Sequence, residues 1–225
     1  MEKYIVKELE YELTDDEFLR KIRVANDPED EDCQKAISML QEARLCARPK
    51  YAYALAPIEH KGEDHVIIAG HRIDSPLVRK NLDKIHRIIP YMATCGTEVD
   101  EWSRQQKGMM EHFWAEEIKI MLLSKAVIAL HKVVKDRHFP GSDMSQMSPG
   151  SLPAWPITEQ TNLFSLSEHI NEEIGVSLTD SYLMIPSKSV SGFFFSSEVH
   201  YENCQLCPMN NCPGRRARYQ PPVEA

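Results

Sequence analysis

Glycine is scarce, at 9 of 225 residues, and none of it falls in a phosphate-cradling pattern. Neither G-x-x-x-x-G-K-[ST] nor G-x-G-x-x-G occurs, which excludes a P-loop and a dinucleotide fold built on a glycine-rich turn. G-x-S-x-G and H-E-x-x-H are also missing, so the serine-elbow hydrolases and the zincins are excluded. Basic residues are too few for a nucleic-acid partner: 26 stand against 34 acids, and the net charge of −8 repels phosphates. Long hydrophobic runs are lacking as well. The longest, Ile118 to Val134, is interrupted by Lys119, Lys125 and Lys132, so no membrane partner is expected. No apolar run follows Met1, and we read this as no signal peptide. Six cysteines without an export signal then point to a reducing cytoplasm and to free or metal-bound thiols, not a disulfide framework.

What is present suits one large domain. Hydrophobic residues make up 42% and charged ones 27%, ordinary for a globular chain with a buried core. We place the domain at 1–200 and a cysteine- and arginine-rich tail at 201–225. Lys3 to Leu13 reads as an opening strand, and Thr14 with Glu17 as a capping box for a short helix to Ile22. A helix is predicted from about Pro28 to Ala47, then strands at Tyr51–Ile58 and His65–Ala69. Ser75-Pro76 starts a short helix to Leu82. Arg87–Cys95 reads as a strand that Pro90 confines to an edge or bulge. Thr97 caps a helix to Gln106, and Met109–Lys135 forms a longer one with a core stripe of Met110, Phe113, Trp114, Met121, Val127 and Leu130. This mixture favours an α+β fold, a single twisted and mainly antiparallel sheet flanked by helices, over a doubly wound one.

The chain is organised around Met147 to Phe195. A loop rich in proline ends at Pro156, and a helix is predicted from Thr158 with apolar Leu163, Leu166, Ile170 and Ile174, closed by Gly175. Leu178–Ile185 and Val190–Phe195 alternate as strands do, and we expect them to be antiparallel neighbours in one sheet. Gly150 allows unusual backbone geometry while Pro149, Pro153 and Pro156 stiffen the loop. Such a loop is read from its residues first as a connector pinned by prolines, and second as a site for a small polar ligand. His71 with Asp74, and His112 with Glu116, are weaker polar pairings. We take the second as a solvated helix face.

The words Pro149-Gly150, Pro153, Trp155-Pro156, IGVSLTDSYLM with Pro186, and SVSGFFFS resemble, in order and approximate spacing, the activation domain of the cobalamin-dependent methionine synthase family. A weaker match at Thr94 to Trp102 (TCGTEVDEW) extends the resemblance loosely over Tyr4 to Tyr201. The resemblance implies the same antiparallel α+β fold. It also implies an S-adenosylmethionine site on the Pro-Gly loop, at Pro149, Gly150 and Ser151 together with Tyr201. The family carries an Arg four residues before the Gly and a Tyr after it, where this chain has Gln146 and Ser151. A glutamine cannot supply the charge that clamps the ligand's carboxylate, so weak binding is expected unless another group, such as Arg137, takes over.

The tail carries a second constellation. His200, Cys204, Cys207 and Cys212 read H-x3-C-x2-C-x4-C, followed by Arg215, Arg216 and Arg218. C-x2-C lets two thiolates face one zinc ion or iron–sulfur cluster, and Cys204, Cys207 and Cys212 are the candidate metal ligands. His200, Cys95, Cys33 or Cys46 would complete the set; free thiols are the other reading. The arginines either favour thiolates or only solubilise the terminus.

Two functions follow. By resemblance, the chain is a stand-alone reactivation module supporting reductive methylation of cobalamin held on a corrinoid-carrying methyltransferase. S-adenosylmethionine would be the methyl donor, and a flavodoxin-like or ferredoxin-like protein would donate the electron. The alternative is a non-catalytic binding or electron-transfer adaptor that works through a metal-holding tail.

Overall fold

The computed structural model describes residues 2–167, 169–197, 201–209, 211–212 and 215–220. The chain opens with strand β1 (Lys3–Val6) and helices α1 (Asp15–Ile22) and α2 (Glu31–Cys46). Each helix starts where a side chain accepts a free amide: Thr14 Oγ1 from Glu17 N at 3.2 Å, and Asp30 Oδ1 from Cys33 N at 2.8 Å. Asp30, not Pro28, therefore sets the start of α2. Strands β2 (Lys50–Ala54), β3 (Ala56–Lys61), β4 (His65–Ile68) and β5 (His71–Asp74) follow, then α3 (Pro76–Asn81) and strand β6 (Arg87–Thr94). Next come α4 (Thr97–Ser103), the long α5 (Met109–His138) and strand β7 (Asp143–Met147). A single 3-10 turn at Ile157–Glu159 leads into α6 (Gln160–Leu166) and α7 (Ile170–Glu173), and then β8 (Ser177–Leu178), β9 (Met184–Ile185) and β10 (Ser189–Ser197).

Eight strands form one sheet whose ladders are antiparallel, the α+β architecture expected. β6 is its axis, with β2 and β3 pairing in series along one side and β10 along the other. β1 continues the sheet past β2, β4 and β5 past β3, and β7 past β10. Pro90 is thus central, against the edge or bulge position expected. On its β2/β3 side it falls in the gap between the last β2 pair (Tyr53↔Tyr91) and the first β3 pair (Ala56↔Ile88), where no strand asks for its missing N–H, while β10 runs opposite it on the other side (Phe193↔Pro90).

The expected pairing of Leu178–Ile185 with Val190–Phe195 does not form. The first segment folds back on itself as the two-stranded ladder β8–β9, while β10 enters the main sheet between β6 and β7. A turn makes the fold-back: Thr179 N donates to Leu183 O at 2.9 Å, and Tyr182 takes a left-handed φ of 63°. The helix predicted from Thr158 to Ile174 is also interrupted. Ser167 turns its hydroxyl onto the Phe164 carbonyl at 2.7 Å and His169 adopts φ 65°, which splits α6 from α7.

Three consecutive phenylalanines, Phe193 to Phe195, are all buried because both faces of the sheet are covered. Phe194 joins Tyr51, Tyr53, Ile89 and Tyr91 under Ala126, Leu130 and Val134 of α5. Phe193 and Phe195 join Trp155, Leu163 and Leu166 on the other face. The first half of α5 serves a helical core instead, where Trp114, Ile118 and Leu122 meet Phe18, Leu19 and Leu40. Met110 and Phe113, placed in the core stripe by sequence, are exposed, and Ala115, Ile118 and Leu122 take that role. No helix among the described residues is long and apolar enough to cross a membrane.

Candidate functional site

β7 is short (DMSQM) and its last four residues are buried: Met144 and Met147 pack in the two cores, while Ser145 and Gln146 are buried through side-chain hydrogen bonds. Gln146 is 5% exposed and donates through Nε2 to the Tyr91 hydroxyl at 3.1 Å. Tyr91 in turn stacks on Phe194 with ring centroids 4.2 Å apart. Across from them Gly192 leaves room that no side chain could share. A Cβ there would come within 2.4 Å of the Met147 carbonyl oxygen and 2.9 Å of the Tyr91 hydroxyl. The glycine in SVSGFFFS is therefore a close-approach position, and it lets the Pro-Gly loop leave β7 directly over Tyr91.

The loop closes on itself. Gly150, with φ 88°, donates its N–H to the Trp155 carbonyl at 2.9 Å, and Trp155 N–H donates to Leu152 O at 3.0 Å. Trp155, 1% exposed, anchors the loop against Phe193 at 5.2 Å between ring centroids. Ser75, the cap of α3, donates its hydroxyl to Ala154 O at 2.7 Å and so fastens the far side. Pro149 is buried, while Gly150 and Ser151 are exposed on the outer surface.

The tail comes back to this loop. Tyr201 N–H donates to Ser145 Oγ at 2.7 Å, and its carbonyl accepts from Gln146 N at 3.4 Å. Gln146 and Glu202 form an isolated parallel bridge. Asn203 starts a 3-10 turn (Asn203–Gln205) and donates through Nδ2 to both Ser148 O and Ser151 Oγ, each at 2.8 Å. The four residues placed here by resemblance, Pro149, Gly150, Ser151 and Tyr201, are thus gathered on one loop and the turn that staples it. Sequence reasoning missed Tyr91, Ser148, Glu202 and Asn203. The signal available for the last two was the Glu202-to-Gln205 capping spacing.

Several polar atoms in this region are buried without a partner among the described residues: the Tyr201 hydroxyl, Asn203 Oδ1, Gln160 Oε1 and Trp155 Nε1. Burial, reinforced by Glu202, pushes the Tyr201 phenol up to about 12. Full burial likewise raises the Tyr91 phenol, against the lowering effects of its Ser148 hydrogen bond and of Arg216. Both phenols therefore stay protonated, as hydrogen-bonding groups rather than bases.

Residues 146–212 match the family described as vitamin B12 dependent methionine synthase, activation domain. Among solved structures, the MetH reactivation domain bound to AdoHcy is similar, with a TM-score of 0.60 and 18% identity over 91% of this chain and 82% of that one. The likeness over most of the chain is therefore one of fold, with the family match confined to its C-terminal third. A search of curated proteins gives no match. The matched segment starts at Gln146 and so takes in the Pro-Gly loop, β10 and the stapling turn, ending at Cys212.

The other candidates fall elsewhere. Cys33, Cys46 and Cys95, offered as completing ligands, belong to the helical core around α2 and α4 and not to the tail. Burial pushes the Cys95 thiol up to about 12 and raises that of Cys46, so both favour the neutral, non-ligating form. His200 lies outside the described residues. Cys204, Cys207 and Cys212 are free, half-buried thiols. Among the described residues, Asp64, His65 and Asp74 are the group whose ligand atoms lie within 4.8 Å of one another, and the three tail cysteines are not so gathered. Arg215 organises their loop instead. Its guanidinium donates to the carbonyls of Cys204 at 2.9 Å, Cys207 at 3.1 Å, Ala217 at 3.2 Å and Met209.

Arg137, the proposed substitute for the absent arginine, sits over the Tyr4 ring with its guanidinium 4.4 Å from the centroid, remote from the loop in the fold. His71 does not meet Asp74, which binds Arg72 at 2.7 Å. Glu116 binds Lys119 and Lys188 and not His112. An open cleft of about 750 Å³ between α3 and the β7–β10 edge, lined by Lys80, Asp83, Lys84, Asp143, Ser196 and Ser197, holds none of the predicted residues.

Proposed function

We propose that this chain is a stand-alone reactivation module for a cobalamin-dependent methyltransferase of the methionine synthase type, and that it binds S-adenosylmethionine between the Pro-Gly loop and the Tyr201–Asn203 turn. The observation that carries the reading is the staple from Asn203 to Ser148 and Ser151, made inside the segment that matches the activation-domain family. The AdoHcy of the similar structure, the demethylated counterpart of that ligand, supports the same choice. Asn203 Oδ1, a buried acceptor without a donor, suits a ligand that brings an amine or ammonium group. The protonated Tyr201 hydroxyl suits one that brings an acceptor. In this reading the partner's cobalamin receives the methyl group, with an electron from a flavodoxin-like or ferredoxin-like protein, in a cytoplasmic setting. The chain's own residues bind and orient the donor: the closed loop presents Gly150 and Ser151, and Gly192 lets that loop pack closely against Tyr91.

Titration calorimetry with S-adenosylhomocysteine checks this. Saturable one-to-one binding, competed by S-adenosylmethionine, is expected. No heat, and no upward shift in Tm at millimolar ligand, would sink the reading.

A second reading, an adaptor with a metal- or cluster-holding tail, is favoured by one contact. Arg216 N–H points at Cys204 Sγ at 3.5 Å, the kind of bond that supports a thiolate. Anaerobic purification followed by metal analysis decides it. Close to one equivalent of zinc or iron, lost in Cys204→Ser, supports the adaptor. Less than about a tenth of an equivalent, unchanged in the variant, removes it.

A further inference from the structure

The proposed site has an electrostatic deficit. An S-adenosyl amino acid carries an α-carboxylate, yet β7 presents the neutral Gln146 where a guanidinium is expected, and that side chain is already turned to Tyr91. Beside it Glu202, 6% exposed, adds a negative charge. Left alone, Gln146 and Glu202 would reject a carboxylate rather than hold one. The structure brings a cation to this point from outside the matched segment. Arg216 Nε lies 3.5 Å from Glu202 Oε2, and its charge reaches the buried Tyr91 phenol.

We propose that Arg216 replaces the arginine missing at Gln146 and clamps the carboxylate of the ligand. The inference rests on the S-adenosyl reading of the site given above.

Three observations support it. First, the tail is built to place this residue. Arg215 gathers four carbonyls of the loop around it, and the Arg216 backbone N–H is fixed on Cys204 Sγ. A guanidinium fork with that many fixed acceptors locks a short segment that has no regular structure of its own. Second, the Arg216 side chain is 49% exposed, against 8% for Glu202, so the guanidinium spans from the buried carboxylate to solvent. Among the described residues Glu202 is its ion-pair partner, which leaves N–H donors for a second carboxylate, as a five-donor fork allows. Third, the other candidate for the role is committed elsewhere, since Arg137 lies over Tyr4. Glu202 thus has a positive function: it orients Arg216 and balances its charge before the ligand arrives.

The test compares two ligands on the full chain by calorimetry. S-adenosylhomocysteine has the carboxylate; 5′-methylthioadenosine is the same nucleoside thioether without it. Arg216→Gln is expected to weaken S-adenosylhomocysteine about ten- to a hundredfold and to leave methylthioadenosine unchanged. Arg216→Lys keeps part of the affinity as a point charge, and Gln146→Arg added to Arg216→Gln restores it. If the wild type binds S-adenosylhomocysteine and Arg216→Gln binds it equally well, the clamp is wrong while the site stands. Equal weakening of both ligands makes Arg216 structural and also overturns the clamp. If the wild type binds neither ligand, the site reading and the clamp fall together.

Discussion

Replacing Asp100 by alanine should lower the unfolding free energy by about 3–5 kcal/mol, among the largest single-residue effects expected in the chain. Asp100, on α4, is 4% exposed, and it faces Lys119 of α5, which is 3% exposed. Lys119 Nζ lies 3.0 Å from Asp100 Oδ1 and 2.6 Å from Glu116 Oε1, while Arg104 takes the other Asp100 oxygen. Glu116 also binds Lys188, whose carbonyl accepts the Cys95 N–H, so the network ties α4 and α5 to the entry of β10. Alanine leaves the Lys119 ammonium in the core with half its partners. Adding Lys119→Met removes that orphaned charge, and the double variant should recover much of the loss, as buried ion pairs replaced by apolar groups often do. Urea unfolding reads both. A single variant within about 0.5 kcal/mol of wild type would show the network to be a surface feature.

The same network predicts a pH window. Burial alone would raise the Glu116 carboxyl, but hydrogen bonds to Lys119 and Lys188 outweigh it and hold it below 4.5. Its contribution is therefore complete above 4.5 and is lost as pH falls through the depressed folded value. Burial alone would lower Lys119, but Glu116 and Asp100 prevail and raise it above 10.5. Its contribution is complete below 10.5 and is lost as pH rises through the folded value.

Much of this fold was legible because apolar residues announce it. Val190–Phe195, read as a strand, lies within β10, Thr14 marked the start of α1, and Ser75 with Pro76 marked α3. What stayed hidden was pairing. Leu178 to Ile185 alternates as a sheet strand would, and only the left-handed turn at Tyr182 shows that it pairs with itself. β7 was invisible for the opposite reason. Its buried Ser145 and Gln146 are satisfied by Tyr201 and Tyr91, partners far away in the chain, so no local pattern betrays burial. The loop at Pro149-Gly150 could be named from resemblance. Its staple could not: the Glu202-to-Gln205 spacing marks a turn, but the bonds from Asn203 to Ser148 and Ser151 are tertiary contacts.

Trp155→Ala should cost about 3–5 kcal/mol and, on the proposed reading, most of the ligand affinity as well. Trp155 is the largest side chain of the Pro-Gly loop in the core, where it joins Phe193, Leu163 and Leu166. Its carbonyl holds Gly150 N–H at 2.9 Å and its own N–H holds Leu152 O, so losing the anchor also loosens the turn that displays Gly150 and Ser151. The two effects can be separated. Trp155→Phe keeps an aromatic against Phe193 and removes the indole Nε1, a buried donor without a partner, so it should cost well under the alanine change. It should also retain binding. Thermal unfolding gives the first effect, and S-adenosylhomocysteine titration below the midpoint gives the second. Alanine binding the ligand as tightly as wild type would mean that the loop keeps its shape without its anchor. The site would then have to be rebuilt around the Asn203 staple alone.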